Sequence, residues 1–398
     1  MASLDAALKE CLQLGHHPAQ WKFFTTITLR KPSYLIPKAY RPIALEDTSS
    51  KVVESVVARR LAALAEEHDL LPPNHFGGRP QRTTTDAVLH LVQRIKDSWR
   101  TGNIVTSVLY LDISSAFPSV NHRPLLHNLH KRSVPEPLVL WIANFLRERR
   151  TQLKFDDFTS QPLLADYRQR LSLGYIDDTA IVVTSPSVAT NIRILSAIVP
   201  LLLNWSRMHA CRFDIGKFQL VHHTRYEPCY VPLPLQIDGH TITPSESARY
   251  LGIIVDRRLR WHEHVEAAIA KGTAAVLSSP LIGRLAKPTF GLPHQFARRL
   301  FKAVVCPRLE YGLPVWYTPV CRWEGSHRAT GSVGVARRIG KVQRLAGLMI
   351  TGAFKSTANV FLDYHADLLS ARVQTRRRTA ISTTSCASAN SAARACST

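Results

Sequence analysis

An aspartate closes the apolar run VTSVLYLDI, and an adjacent pair of aspartates sits in LGYIDDTAIVV between two stretches made mostly of apolar residues. Asp112, Asp177 and Asp178 are thus the residues whose type and setting could do chemistry. A carboxylate at a strand end beside an Asp-Asp turn on a neighbouring strand would converge several oxygen ligands on one point, which suits a hard divalent cation such as Mg²⁺. Two such ions roughly 3.5–4 Å apart activate an attacking hydroxyl and stabilise the leaving oxygen of an in-line phosphoryl displacement. The same residue types also make ordinary surface turns, and LKFDDFTS, with Asp156 and Asp157, offers one in the same chain. On spacing alone both readings stay open.

Other constellations are weaker. His262 and His264 in WHEHVEAAI stand two apart, not the i, i+4 separation that sets both on one helical face for zinc. Neither they nor Glu263 nor the His222-His223 pair has ligand partners in sequence, and all are expected to be exposed or to face nucleic acid. The seven cysteines form no C-x-x-C and no Cys/His cluster at zinc spacing, the usage expected of a reduced intracellular protein.

Carboxylates held in a fixed constellation need a framework. Apolar residues at helical spacing run through 51–64, on Val52, Val53, Val56, Val57, Leu61 and Leu64. The pattern returns in TTTDAVLHLVQRIKDSW, with Thr83 and Asp86 spaced as a capping box. Between these helices, LLPPNHFGGRPQR is loop by its Pro and Gly content. VTSVLYLDI is predicted as a buried strand, EPLVLWIANFL as a helix, LGYIDDTAIVV as strand, turn and strand, and 187–209 as an amphipathic helix. RFDIGKFQLV follows as a strand, PLQIDGHTIT as a hairpin turning on Asp238-Gly239, and ARYLGIIVD as one further strand. That succession is an α+β sheet with helices on one face.

After Asp256 the character changes: 257–308 carries ten Lys/Arg against two Glu, with helical spacing through Val265, Ile269 and Val276, and is predicted to be a separate basic helical unit. The stretch 321–341 reads as Gly- and Arg-rich loop, and TTSCASANSAARACST as a disordered low-complexity tail. With 398 residues the chain has room for two or three domains. Its 51 Lys+Arg against 29 Asp+Glu give a net charge of +22, which points to a polyanionic partner. The longest apolar run, 194–203, is broken by Pro200 and too short to span a bilayer, so a soluble chain with no membrane partner is expected.

The ordered series AYRPIALEDTSSKVVESVVARRL, LLPPNHFGGRPQRTTTDAVLHLV, VLYLDISSAFPSVNHRPLL, LGYIDDTAIVV, FDIGKFQLV, YLGIIVDRRLRW and YGLPVWYTP resembles the reverse transcriptases of non-LTR (LINE-type) retrotransposons, over roughly 21–319. The resemblance implies a right-hand polymerase with fingers, a ferredoxin-like palm and a helical thumb, which adds deoxynucleotides to a primer on an RNA template with two Mg²⁺ or Mn²⁺ ions. It divides the chain into fingers (1–103), palm (104–256), basic thumb (257–320) and a post-thumb segment with tail (321–398). Asp112 matches the first metal aspartate, and Asp177 with Asp178 the Tyr-x-Asp-Asp turn, with Ile176 larger than the usual occupant of x. Phe117 falls where the family sets an aromatic gate against the ribose 2′-hydroxyl. Arg30, Lys31 and Arg41 match the fingers segment that grips the triphosphate or template. Lys217 matches a position placed to protonate the leaving pyrophosphate. Tyr250, Leu251 and Gly252 match the primer grip, and the basic thumb is expected to track a template–primer duplex through its phosphates. RNA template, DNA primer or target, and deoxynucleoside triphosphates are the implied partners, and a nuclear location follows from the family alone.

The pattern breaks once. Asp112 and Asp177 are separated by only 65 residues, and no Gln-Gly-x-Pro block stands between them; FDDFTSQPLLADYRQRLSLGYIDD runs straight to the aspartate pair. The palm is therefore expected to be internally deleted near 163–172, without the helix that supports the nucleotide. Neither an endonuclease before the fingers nor a ribonuclease H carboxylate set after the thumb is expected in this sequence. A truncated copy, or a gene record that skips coding sequence, would account for these departures, and weak activity or none is expected.

Overall fold

The computed structural model describes residues 2–30, 40–102, 104–114, 121–155, 158–161, 163–164, 179–208, 212–277, 293–322, 328–371, 373–375 and 379. Helices and strands mix along the chain, in keeping with the α+β expectation. It divides into two compact units, the first made of 1–82, 105–222 and 228–244, the second of 83–104, 223–227 and 245–398.

Two larger sheets lie in the first unit among the described residues. In one, the strands Phe23–Arg30 and Tyr40–Leu45 pair antiparallel, and Phe23–Arg30 also pairs in parallel with Arg150–Phe155. The helix Thr48–Glu67 starts on Asp47, whose carboxylate accepts the Ser49 N–H at 2.7 Å. It packs Val53 and Val57 with Leu138, Trp141 and Ile142 of the helix Glu136–Leu146. His17 is buried in this unit, ringed by Trp21, Trp141 and Phe145 at centroid distances of 5.2–5.6 Å.

The other sheet has three strands in the order Gln219–His223, Val105–Leu111, Thr179–Ser185. All seven residues of the central strand are buried, as a continuous apolar run requires when both faces are covered. Leu195 and Val199 of the helix Val188–Met208 and Leu235, Ile237 and Ile242 of the hairpin Leu235–Ile237/His240–Ile242 close the same core. Val188–Met208 is, among the described residues, long and apolar enough to cross a membrane, yet it packs against this sheet through Leu195 and Val199. The hairpin turns on Asp238 and Gly239 with φ of +47° and +79°, the two positive values that a primed two-residue turn needs. RFDIGKFQLV is broken by a short 3₁₀ turn, Ile215–Lys217, instead of running as one strand.

In the second unit the helix Thr84–Arg100 carries the expected capping box: Asp86 accepts the Thr83 N–H at 2.8 Å and the Thr83 hydroxyl accepts the Asp86 N–H at 3.3 Å. Two expectations fail here. ARYLGIIVD is a hairpin, Ser247–Tyr250 antiparallel to Ile253–Asp256, because Leu251 and Gly252 adopt φ of +48° and +80° and reverse the chain. The stretch 321–341 is not all loop, since the helix Val333–Thr351 begins inside it and buries Ala336, Ile339, Val342, Ala346 and Ile350 at helical spacing. The helix expected from Val265, Ile269 and Val276 is present as His262–Leu277. The low-complexity tail and the Asp156-Asp157 turn lie outside the described residues.

Candidate active site

Asp112 follows the last residue of the buried central strand, so the sheet fixes where its carboxylate is presented. Beneath it the strand is anchored by a chain of buried polar contacts. Asn191 Nδ2 donates to the Val105 carbonyl and to Ser107 Oγ, both at 2.9 Å, Ser107 Oγ meets His222 Nδ1 at 2.8 Å, and His222 Nε2 meets the Leu233 carbonyl at 3.1 Å. One direction of donation satisfies both the serine and the imidazole: Nε2–H donates to the carbonyl, leaving Nδ1 to accept from the serine hydroxyl. His222 is accordingly neutral, its pKa lowered chiefly by burial. This corrects the expectation that His222 and His223 are exposed or face nucleic acid; both are buried, and His223 Nδ1 lies 3.1 Å from the Arg257 carbonyl. His264 is also buried, its Nδ1 accepting the Ile254 N–H at 3.2 Å, whereas His262 is exposed.

Lys217 is the one other candidate that the structure brings to Asp112. The Asp214 N–H donates to the Asp112 carbonyl at 2.9 Å, Ile113 pairs with Phe213, and the 3₁₀ turn then carries Lys217 back across the strand end. Its Nζ donates to Asp112 Oδ2 at 2.8 Å and lies 2.9 Å from Asp214 Oδ2. Hydrogen bonds to Asp112 and then to Asp214 hold the Lys217 pKa above the ordinary lysine value, so the ammonium keeps its proton. Both partners of that charge, Asp112 and Asp214, are carboxylates, the donor type that a hard divalent cation takes. A metal ion at Asp112 would compete directly with Lys217. Among the described residues no three His, Cys, Asp or Glu side chains converge as a ligand set; Asp177 and Asp178 lie outside them.

The strand pairing nevertheless bears on that pair. Leu111 is in register with Thr179, so the ladder ends one residue before Asp112 on one strand and begins one residue after Asp178 on the other.

Arg30 and Arg41 lie on the paired strands Phe23–Arg30 and Tyr40–Leu45, one register apart, with only their backbone described. Lys31 and Phe117 lie outside the described residues. Tyr250, Leu251 and Gly252 form the end of the hairpin in the second unit, a two-residue turn and neither a continuous strand nor a bulge. Sequence reasoning missed what holds this turn. The Tyr311 hydroxyl donates to the Leu251 carbonyl at 2.9 Å and lies 3.2 Å from Thr84 Oγ1, and Trp316 Nε1 donates to the Tyr311 carbonyl at 2.9 Å. Gly312, at φ +63°, lets the chain pass Ile253 where any Cβ would collide. The signal was YGLPVWYTP itself, a segment with matching residue types and no assigned role.

Residues 29–161 match the family model described as "Reverse transcriptase (RNA-dependent DNA polymerase)". Among similar proteins of Drosophila melanogaster, the probable RNA-directed DNA polymerase from transposon BS is 24% identical over 77% of this chain and 37% of its own length. The probable RNA-directed DNA polymerase from transposon X-element is 24% identical over 91% and 41%, and the RNA-directed DNA polymerase from mobile element jockey 25% over 77% and 36%. The chain thus spans about two fifths of the length of these relatives. Over residues 29–161 the chain thus matches the reverse transcriptase family, and over most of its length it is similar to proteins named as RNA-directed DNA polymerases of Drosophila transposons and mobile elements.

Proposed function

We propose that the chain is the polymerase core of a non-LTR element, built to add deoxynucleotides to a DNA primer on an RNA template with two Mg²⁺ or Mn²⁺ ions held by Asp112, Asp177 and Asp178. The observation that carries this reading is the register Leu111 to Thr179. Asp112 and Asp178 are each one peptide link, about 3.8 Å between Cα atoms, from two residues paired across the ladder. In this reading Asp112 and the aspartate pair would hold the ions, which when bound would supply the charge that activates the primer hydroxyl and stabilises the leaving oxygen. Lys217, displaced from Asp112 by the ions, would remain near enough to donate a proton to the departing pyrophosphate. Arg30, Lys31 and Arg41 grip the triphosphate, Phe117 screens the 2′-position, and the Leu251-Gly252 turn supports the primer end. In this reading 1–103 are fingers, 104–256 a ferredoxin-like palm, 257–320 the thumb and 321–398 a post-thumb segment. Access to nuclear DNA belongs to the same reading.

Activity of this chain is weak in the proposal. The family match stops at 161, just ahead of the 163–172 stretch where the Gln-Gly-x-Pro block is missing. A nucleotide without its supporting floor loses orientation, which costs on the order of several powers of ten in rate even with the metal ligands intact. Primer extension by the purified chain on an RNA template tests both parts. Trace extension abolished by Asp177→Asn is expected. Brisk extension by the chain as written would overturn the weak-activity reading, and extension surviving Asp177→Asn would overturn the metal assignment. Salt-sensitive RNA binding with no extension at all would favour the alternative, a non-catalytic nucleic-acid-binding remnant, which the net charge of +22 also suits.

A further inference from the structure

The second unit contains a cleft of about 460 Å³ lined by Lys96, Trp99, Arg100, Arg225, Arg258 and Arg260. These residues come from the last turns of the helix Thr84–Arg100, from the 223–227 segment and from the loop after Asp256. Five are cations and none is a carboxylate. Asp97 pairs with Arg100 at 3.0 Å and Glu227 pairs with Arg258, while Lys96, Arg225 and Arg260 have no ion-pair partner among the described residues. Trp99 supplies an aromatic wall, and its indole N–H is buried with no acceptor among the described residues.

The cations are mounted on a fixed backbone. Asp256 accepts the Arg260 and Trp261 N–H groups, each at 2.8 Å. The buried Arg257 is pinned by Glu227 and Glu246, each at 3.0 Å, and its carbonyl by His223. Like charges gathered on a rigid frame repel unless an anion joins them, and guanidinium forks match phosphate oxygens in shape as well as charge. A half-buried indole beside them offers a stacking face that only an unpaired base can use.

We propose that this cleft binds single-stranded nucleic acid, its phosphodiesters on Lys96, Arg225, Arg258 and Arg260 and an unpaired base against Trp99. The inference goes beyond the polymerase reading and does not depend on it: Lys96, Trp99, Arg100 and Arg225 lie outside the thumb, and no lining residue is assigned to metal, nucleotide or primer end.

Fluorescence anisotropy of short labelled single strands, one RNA and one DNA, titrated with the full chain in EDTA over a range of KCl concentrations, tests it without any contribution from polymerisation. Removing three phosphate contacts with Lys96→Ala, Arg225→Ala and Arg260→Ala together should flatten the slope of log K against log salt by about 2, at about 0.7 per contact. A control of equal charge from the same unit, Arg337→Ala, Lys341→Ala and Lys355→Ala, should flatten it by less than half as much. Trp99→Phe should keep affinity and Trp99→Leu lose about tenfold. A loss confined to the RNA strand, or to the DNA strand, supports the site and names its source. Equal slopes for the two triple variants, or no change in either, overturn the proposal, because the binding would then be diffuse. Loss of binding to phosphatidylserine vesicles, with single-strand binding intact, overturns it in favour of a membrane surface. A chain that fails to extend primers but shows the slope difference loses the polymerase reading and keeps this one.

Discussion

Lys217 occupies the carboxylate on which the proposed metal site depends. Its ammonium sits on the carboxylate that a divalent ion would need, so replacing it should ease metal entry while removing a proton donor. The pair is well exposed, and such pairs contribute on the order of 0.2–1 kcal/mol. Lys217→Ala is therefore expected to lower the half-saturating Mn²⁺ concentration, read by paramagnetic resonance of free Mn²⁺, by a factor of about 1.5–5. A rise, or no change, would show that the lysine does not compete there. The place of Asp112 at the end of a buried strand was legible in the sequence because a carboxylate ending an apolar run is conspicuous. The Lys217 contact was not, since it spans 105 residues and only the resemblance pointed to it. His222 was misread for a related reason: a polar residue beside a buried strand looks like surface until Ser107 and Leu233 are seen to satisfy it.

At the scale of the element, the geometry of the hairpin Ser247–Tyr250/Ile253–Asp256 depends on individual residues. Gly252 combines φ of +80° with a position where a Cβ would lie 3.1 Å from the Tyr311 ring. Gly252→Ala is expected to cost about 1–2 kcal/mol from the left-handed backbone. Tyr311→Phe, which deletes the bond to the Leu251 carbonyl, should cost about 0.5–1.5 kcal/mol. Urea midpoints measure both, and an unchanged midpoint for Gly252→Ala would mean that the turn relaxes freely. This hairpin was read as one strand because Leu251-Gly252 lacks the Asn-Gly or Asp-Gly signature that marked the Asp238-Gly239 turn correctly. The helix Val333–Thr351 was hidden by its Gly and Arg content although its apolar spacing was present. Thr84–Arg100, by contrast, announced itself through both cap and periodicity.

Acid should weaken the chain as a whole, because neutral histidines are buried in both units. Burial, then the nearby charges of Arg149, Lys22 and His16, lowers the pKa of His17 to about 4. Burial and Lys271, with a smaller effect from Arg249, do the same for His264, again to about 4. The unfolded chain takes up protons near pH 6.5 while the folded chain does not, so stability is intact above that value. It is lost progressively as pH falls from 6.5 towards 4, by about 3 kcal/mol at most for each histidine. Urea titrations at a series of pH values should show the midpoint falling across this window, and a flat profile would mean that the two rings are solvated. The α+β class was readable from the succession of strands and helices. The interleaving of the two units was not, because residues 83–104 leave the first unit and the chain then returns to it, and no local pattern records that.

The central strand Val105–Leu111 also has a consequence in time. A ribosome delivers VTSVLYL first and its two neighbours, Thr179–Ser185 and Gln219–His223, afterwards. Sixty-eight positions separate Leu111 from Thr179, roughly 3–14 s of synthesis at ordinary elongation rates. Throughout that interval a seven-residue, mostly apolar β segment stands with both edges open, the state in which nascent chains find one another. Translation stopped near residue 160 should release a product that pellets, and a soluble one would show that the strand finds cover earlier. The arrangement that presents Asp112 so firmly thus makes the growing polypeptide dependent on its own speed of completion.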